Sequence, residues 1–371
     1  MLEIIFRNFI RTLISMAGFF LKVLISKPEE IGHPRCIVIL LWGGIGNDVL
    51  FSPVLYTIRK NFPQTHLTIC SFHSFAKEMF FKTADSFITI GENPSLKSIE
   101  KLLFLLRRFH PDIVISNAMS PVFLSSLIAY LSGAKIRIGI ERGHRGFLNN
   151  IRVYERKEHE LIENIRIAKE LLFNAESFPL AVDYTDFDEE TAEIAFNSLH
   201  LKKDFPVVAI QPGSGKHQSF KRWDIDGFRK VAEKLLEHNI QVVVVGTEEE
   251  KNEIDYLEKI LQSKNVRVLR RRLTLPQMVL FLKNFSLLIA NDTSLVHLAS
   301  IVKTPSVVIY GPTDPVKNHP WDVEYRIVRK TLPCSPCYNF RTPNCPYNFK
   351  CLHEITVEEV FNAAMELLSY S

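Results

Sequence analysis

Short, uninterrupted apolar runs set between helical stretches, twice over, are what most restrict the folds open to this chain. In the first half CIVILLW, HLTICSF, DIVISNA and KIRIGI alternate with segments whose apolar spacing predicts helices over 48–61, 96–109 and 121–131. Strands apolar at every position are buried on both faces, and strands joined through helices run parallel, so the pattern predicts a parallel sheet covered on both sides. A polar helix over 158–173 comes next, then an acidic, extended passage, PLAVDYTDFDEE. The second half restarts with PVVAIQP, a helix over 224–238, IQVVVVG, a helix over 249–261, a weaker strand around VRVLR, a helix over 275–285, and the strands SLLIA and PSVVIYG. The expected fold class is α/β: two doubly wound, Rossmann-like domains. Ligands bind such sheets beyond the carboxyl ends of the strands, so two domains facing a central cleft would line it with loops. A length of 371 residues and 46% apolar content supply two cores. The expected divisions are a helix within 1–30, a first domain over 31–180, a linker over 181–205, a second domain over 206–353, and a terminal helix over 354–371.

The turns after the strands carry the chemistry. In residues 286–315 a strand runs into NDTSLVHLA, where Asp292 and Thr293 suit the cap of a helix over about 295–302 and Thr293 and Ser294 add hydroxyls. His297 falls on the first turn. Amides at a helix amino terminus attract anions, so this stretch reads as a diphosphate cradle. QPGSGKHQSFKRW adds the amides of Gly213, Ser214 and Gly215 and the charges of Lys216, Lys221 and Arg222. It is not a Walker loop, because Lys216 follows the first glycine too soon and no Ser or Thr comes after it. In VVVVGTEEE, Glu248 sits just past a strand, where a carboxylate accepts from a ribose hydroxyl or caps the next helix. In WGGIGNDVLFSPVL, Gly43, Gly44 and Gly46 permit a tight turn before Asn47 and Asp48. Asp48 reads either as a base for a hydroxyl nucleophile or as a first-turn carboxylate favoured by the helix dipole. The turn lacks the third glycine of the dinucleotide fingerprint, and no acid ends the second strand.

Forty-five Lys and Arg against 41 Asp and Glu leave a net charge of +4, and no basic run interleaves with aromatics, so nucleic acid is not an expected partner. Arg137, Arg142, His144, Arg145, Arg152, Arg156 and Lys157 crowd the end of the first domain; they suit a phosphorylated or carboxylated glycolipid, or form a solvated face. Cys36 and Cys70 fall in buried strands, whereas Cys334, Cys337, Cys345 and Cys351 form C-x2-C-x7-C-x5-C. That cluster reads as zinc ligands, as oxidisable thiols, or as packed reduced thiols; the spacing does not match a classical zinc ribbon, and no metal is expected. Within residues 1–26 the charges Arg7, Arg11 and Lys22 leave no run long enough to span a bilayer. An amphipathic helix lying among lipid headgroups fits, as does a helix packed on its own domain.

Taken together, these motifs resemble glycosyltransferase family 9, the heptosyltransferases that build the lipopolysaccharide inner core, over about residues 36–365. The resemblance rests on GGIGNDVLFSP, QPGSGKHQSFKRW, NDTSLVHLA, GPTDP and the CSPC turn, in that order. It implies a GT-B fold, an acceptor held by the first domain, a nucleotide sugar held mainly by the second, inversion at the anomeric carbon, and no required cofactor or metal. ADP-heptose as donor is implied by the resemblance alone. The matching positions imply that Lys221, Asp292, Thr293 and His297 contact the donor diphosphate and sugar and that Ser214 touches phosphate. Two positions depart from the pattern: Asn47 stands where the family's proposed base lies, with Asp48 one residue later, and Ser294 replaces a motif glycine.

The expected reaction is a single displacement, with Asp48 as base and Lys221 stabilising the departing diphosphate. Gly213, Ser214, Glu248, Asp292, Thr293, Ser294 and His297 complete the donor side; Gly44, Asn47, Arg142 and Arg145 form the acceptor side. The expected partners are a nucleotide sugar, an anionic glycolipid and the inner leaflet, and the expected location is cytoplasmic, peripheral on the inner membrane. A transferase or epimerase using another nucleotide sugar, or a binding protein without catalysis, are the alternatives.

Overall fold

Every side chain of Ile37–Leu41 is fully buried, which is the arrangement a continuous apolar run demands at the centre of a parallel sheet. The computed structural model describes residues 2–25, 32–171, 179–215, 218–261, 266–338 and 344–369. It divides into two units, Met1–Asp183 and Tyr184–Ser371. The first holds strands β1 (Cys36–Leu41), β2 (His66–Ser71), β3 (Ser86–Thr89), β4 (Ile113–Ser116), β5 (Ile136–Glu141) and β6 (Ile151–Tyr154). All pairings are parallel, in the order β3-β2-β1-β4-β5-β6, with Leu40 opposite Cys70 on one side and Ser116 on the other.

The second unit repeats the scheme with β7 (Val207–Gln211), β8 (Gln241–Val244), β9 (Val266–Val268), β10 (Leu287–Asn291), β11 (Ser306–Tyr310) and β12 (Tyr325–Arg329). Their order is β12-β11-β10-β7-β8-β9, again all parallel. Counted from its own first strand, this is the order of the first sheet. Chain direction across each sheet reverses between the first and fourth strands, at β1/β4 and β7/β10, where a doubly wound sheet opens a crevice.

Three strands have no counterpart in the sequence patterning: β3, β6 and β12. All three are sheet edges, and their burial is partial and mixed, so no continuous apolar run marks them. The helices lie close to expectation, among them Ile45–Asn61, Leu96–Phe109, Val122–Leu131, Ile225–Glu237 and Leu275–Leu282. The polar helix is Glu160–Lys169, and the end expected for it near 173 lies outside the described residues. Within 181–205 the chain forms a helix, Asp186–Asn197, whose amino terminus is closed by reciprocal bonds between Thr185 and Asp188. That helix packs on Leu275–Leu282, and Gln277 donates to Asp188 at 3.0 Å, so most of the expected linker is part of the second unit. The helix Val357–Leu368 packs on Ile225–Glu237 and on β10 to β12, and belongs to the same core.

The amino-terminal helix is Leu2–Leu21. It touches its own unit along a narrow stripe centred on Gly18, where a Cβ would lie 2.0 Å from the His144 carbonyl, so only glycine lets the helix approach this closely. Phe19 meets the His144 ring edge-on at 5.3 Å, and Arg152 donates to the Lys22 carbonyl at 3.4 Å. Phe9, Leu13, Met16, Phe20 and Val23 face away and are exposed, Phe20 by 70%. Among the described residues no helix is long and apolar enough to cross a membrane.

Candidate active site

In the second unit the turns after β7, β10 and β11 converge on one polar cluster. Asn291, the last residue of β10, accepts from the Trp223 amide at 2.9 Å and donates to the carbonyls of Pro212 and Gly213 at 2.9 and 3.0 Å. One buried amide thus ties both ends of the QPGSGKHQSFKRW loop to the neighbouring strand. Trp223 fixes the loop from outside, its indole donating to the Ile355 carbonyl at 3.1 Å. Lys221 is thereby carried inward, only 9% exposed, with Nζ 3.0 Å from Asp292 Oδ2 and 5.6 Å from the centre of the Tyr338 ring. Asp292 also accepts from Asn318 Nδ2 at 3.0 Å, and Asn318 receives the Tyr310 hydroxyl on its carbonyl at 2.9 Å.

The cradle helix is Ser294–Ile301, with Thr293 at its cap position, but no side chain caps it. The expectation that Asp292 and Thr293 do so is corrected: the Thr293 hydroxyl donates to Gln211 Oε1 at 2.6 Å, because β7 lies beside β10 and brings that acceptor within reach, and Asp292 is committed to Lys221. Uncapped amides at a helix amino terminus suit an anion. Ser294 is half-exposed on the first turn, and His297 behind it is 4% exposed, its Nδ1 without a hydrogen-bond partner. Burial pushes the His297 imidazole down to about 4; Asp292 opposes this, and Lys221 and His319 add to it. A neutral ring there donates or accepts one hydrogen bond without adding charge. The buried Thr313 hydroxyl, in GPTDP, is likewise without a partner.

Ser214 is buried, donating to the Gln218 carbonyl at 2.7 Å and accepting from Arg222 Nε at 3.2 Å, so its hydroxyl shapes the loop. Arg222 is also paired with Glu253. Lys216 lies outside the described residues. Glu248 is exposed, and the carboxylate that organises this corner is Glu250, two residues on. Glu250 accepts from the Thr247 amide at 2.9 Å and the Gly215 amide at 3.2 Å. A Cβ on Gly213 would collide with Glu250 at 1.8 Å, which explains the glycine. Gln211, Glu250, Asn318 and Tyr338 are absent from the expected set; Glu250 alone left a signal, the Thr-x-x-Glu spacing of a capping box.

In the first unit, Gly44 opens the helix Ile45–Asn61 and donates its amide to Asn47 Oδ1 at 2.8 Å. Asn47 in turn donates to Glu160 Oε2 at 2.7 Å. Asp48 and Glu160 are each 3% exposed, and Asp48 Oδ1 has no hydrogen-bond partner. Burial first, then the charge of Glu160, raises the proton affinity of Asp48 well above the ordinary carboxyl range. The basic surface is partly spent internally: Arg142 holds Glu155 through two contacts of 2.7 Å, and Arg137 donates to backbone carbonyls. Arg145 donates to the Arg142 carbonyl at 3.0 Å; burial, then the nearby Arg11 and Arg142, lower its proton affinity.

Among the described residues no three His, Cys, Asp or Glu side chains are grouped to hold a metal ion. Cys334 and Cys337 are exposed, Cys345 half-buried and Cys351 buried, all as free thiols.

The family model for glycosyltransferase family 9 (heptosyltransferase) matches residues 101–348, more than half of the chain. Lipooligosaccharide heptosyltransferase 2 of Campylobacter jejuni is 28% identical over 334 residues, covering 88% of this chain and 96% of that protein. The crystal structure of a family 9 glycosyltransferase from Veillonella parvula superposes with a TM-score of 0.73 at 21% identity, covering 93% of this chain and all of that one. The E. coli ADP-heptose lps heptosyltransferase II gives 0.66 at 21% identity, covering 90% and 98%. These structures share the GT-B architecture of two Rossmann-like units. The chain therefore belongs to glycosyltransferase family 9, the heptosyltransferases.

Proposed function

We propose that this glycosyltransferase moves a heptose from ADP-heptose to the core of a lipopolysaccharide or related glycolipid, inverting the anomeric carbon. The observation that carries the reading is the meeting of Lys221, Asp292 and His297 at the uncapped amino terminus of Ser294–Ile301, beyond the carboxyl ends of β7 and β10, an arrangement whose amides and cation suit a diphosphate. ADP-heptose is taken from the E. coli relative's name and lipooligosaccharide from the Campylobacter one. Negative charge grows on the diphosphate as the glycosidic bond breaks; Lys221 and the amides of Ser294 and Leu295 are oriented to receive it without reorganising, which makes a resident metal unnecessary. Asp48 takes the proton of the acceptor hydroxyl. Gly213 and Ser214 shape the donor loop, Gly44 and Asn47 brace Asp48, and Arg145 with Arg142 meets an anionic group of the acceptor.

In this reading the work is done at the inner leaflet, where the exposed apolar face of the amino-terminal helix rests among headgroups. The test is ADP release from ADP-heptose with heptose-deficient lipopolysaccharide as acceptor. Release that requires both substrates supports the proposal. Equal release from UDP- or GDP-sugars, or release independent of the glycolipid, overturns it.

A further inference from the structure

The first unit carries a buried acid that no sequence motif marked. Glu160 and Asp48 reach the same site from two helices packed side by side, Glu160–Lys169 and Ile45–Asn61. The frame around them is rigid. Asn164, one turn beyond Glu160, accepts from the Ala118 amide at 2.8 Å and donates to the Leu50 carbonyl at 3.3 Å, which pins both helices to the loop after β4. Asn47 bridges the gap: its carbonyl oxygen is held by Gly44 and its amide by Glu160.

That bridge explains why an amide stands at position 47. A carboxylate there would face Glu160 with no proton between them, whereas the amide donates to Glu160. Asp48 is then the acid whose proton remains to be exchanged, and its Oδ1, buried and without a partner, is an acceptor that an incoming hydroxyl can satisfy. Two buried carboxyl groups that feel one another's charge do not both ionise readily.

We infer that Glu160 is a positioning residue of the transfer reaction, fixing Asn47 and holding a carboxylate beside Asp48 so that Asp48 accepts the proton of the acceptor hydroxyl. The inference rests on Asp48 as the base of the proposed reaction. As the new C–O bond forms, the hydroxyl proton passes to Asp48, and the electron pair of the breaking bond leaves on the nucleoside diphosphate. A base is most effective when its proton affinity lies near the working pH, and a neighbouring carboxylate moves Asp48 in that direction.

Other charged and titratable groups flank the two helices. His159 accepts from the Leu161 amide at 3.2 Å; Glu163 is paired with Arg166 and accepts from the Arg156 amide; Asp183 holds Tyr56 and Thr83 toward the far end of Ile45–Asn61. The adjoining short helix Phe75–Met79 contributes Lys77 and Glu78.

The experiment compares wild type, Glu160→Gln and Asn47→Asp in the full chain, by pH–rate profile and by melting temperature against pH without substrates. In Glu160→Gln the acidic limb of kcat/KM moves down by one pH unit or more, while the alkaline plateau falls by less than tenfold. Its melting curve shifts in the same sense: a carboxyl with raised proton affinity contributes stability that is full below its unfolded pKa and is lost as pH rises to its folded pKa, so with Glu160 neutral the loss is smaller and is complete at lower pH. Asn47→Asp moves both limbs up, and keeps the proposal testable if Glu160→Gln fails to fold. Unmoved limbs in a folded variant overturn the inference, as does loss of turnover at every pH, which makes Glu160 itself the base. If wild type releases no ADP from ADP-heptose, the proposed function fails, and the substrate-free melting curves still decide the coupling of the two acids.

Discussion

Lys221 and Asp292 show how one residue pair serves both folding and chemistry. Their ion pair is buried, and removing one partner from such a pair leaves a charge uncompensated, at about 3–5 kcal/mol. Lys221→Ala is therefore expected to lower turnover about a hundredfold, the usual effect of losing one preorganised donor to a leaving group, and also to lower the melting temperature. Kinetics alongside thermal denaturation check both, and in the double variant Lys221→Ala/Asp292→Asn the stability recovers while the turnover does not. His297 imposes a pH dependence of the opposite sense to Asp48. Its imidazole is neutral in the fold down to about 4, whereas the unfolded chain binds that proton near 6.5. Its contribution is complete above pH 6.5 and is lost as pH falls toward 4, by about 3 kcal/mol in all. His297→Gln flattens that part of the stability curve, as measured by denaturant titration across the window.

At the scale of elements, the amino-terminal helix departs from the usual orientation of a helix on a soluble domain. The stripe it turns inward runs through Ile14, Ser15, Gly18 and Lys22, with a glycine at its closest approach, and the faces it turns outward carry exposed Phe, Leu and Met side chains. The helix packs on its own unit, and it leaves Phe9, Leu13, Met16 and Phe20 exposed along one face, which is what the proposed lipid contact requires. Deleting residues 1–26 is expected to abolish sedimentation with anionic phospholipid vesicles while leaving ADP release on a soluble acceptor within threefold. Unchanged sedimentation contradicts the membrane role. The loop elements of the second unit were readable to different degrees. The SFKRW segment and NDTS turn were legible as polar turns, but not their partners, since Asn291 holds the Trp223 amide and Thr293 reaches Gln211; nor was the carboxylate that anchors the loop after β8, which is Glu250 because its side chain turns back to the Thr247 and Gly215 amides.

For the whole molecule, binding of the donor nucleotide to the folded state alone raises the apparent stability by about 2.7 kcal/mol at a hundredfold excess over Kd. ADP is therefore expected to raise the melting temperature of wild type but not of Lys221→Ala, and a matching rise with UDP contradicts an adenine-specific donor. The repeated strand and helix grammar made both sheets legible, because burial on two faces writes itself as continuous apolar runs in central strands. The edge strands β3, β6 and β12 stayed hidden since half-exposed strands carry no such run. The sequence by itself determined two parallel α/β units with polar, glycine-bearing turns at their strand ends, because apolar periodicity and glycine placement act over a few neighbouring residues. Only the tertiary structure decided that Thr293 gives its hydroxyl to Gln211, that Glu250 braces the donor loop, and that Glu160 reaches Asn47 across 113 residues of chain, since such partners are selected by how strands and helices pack.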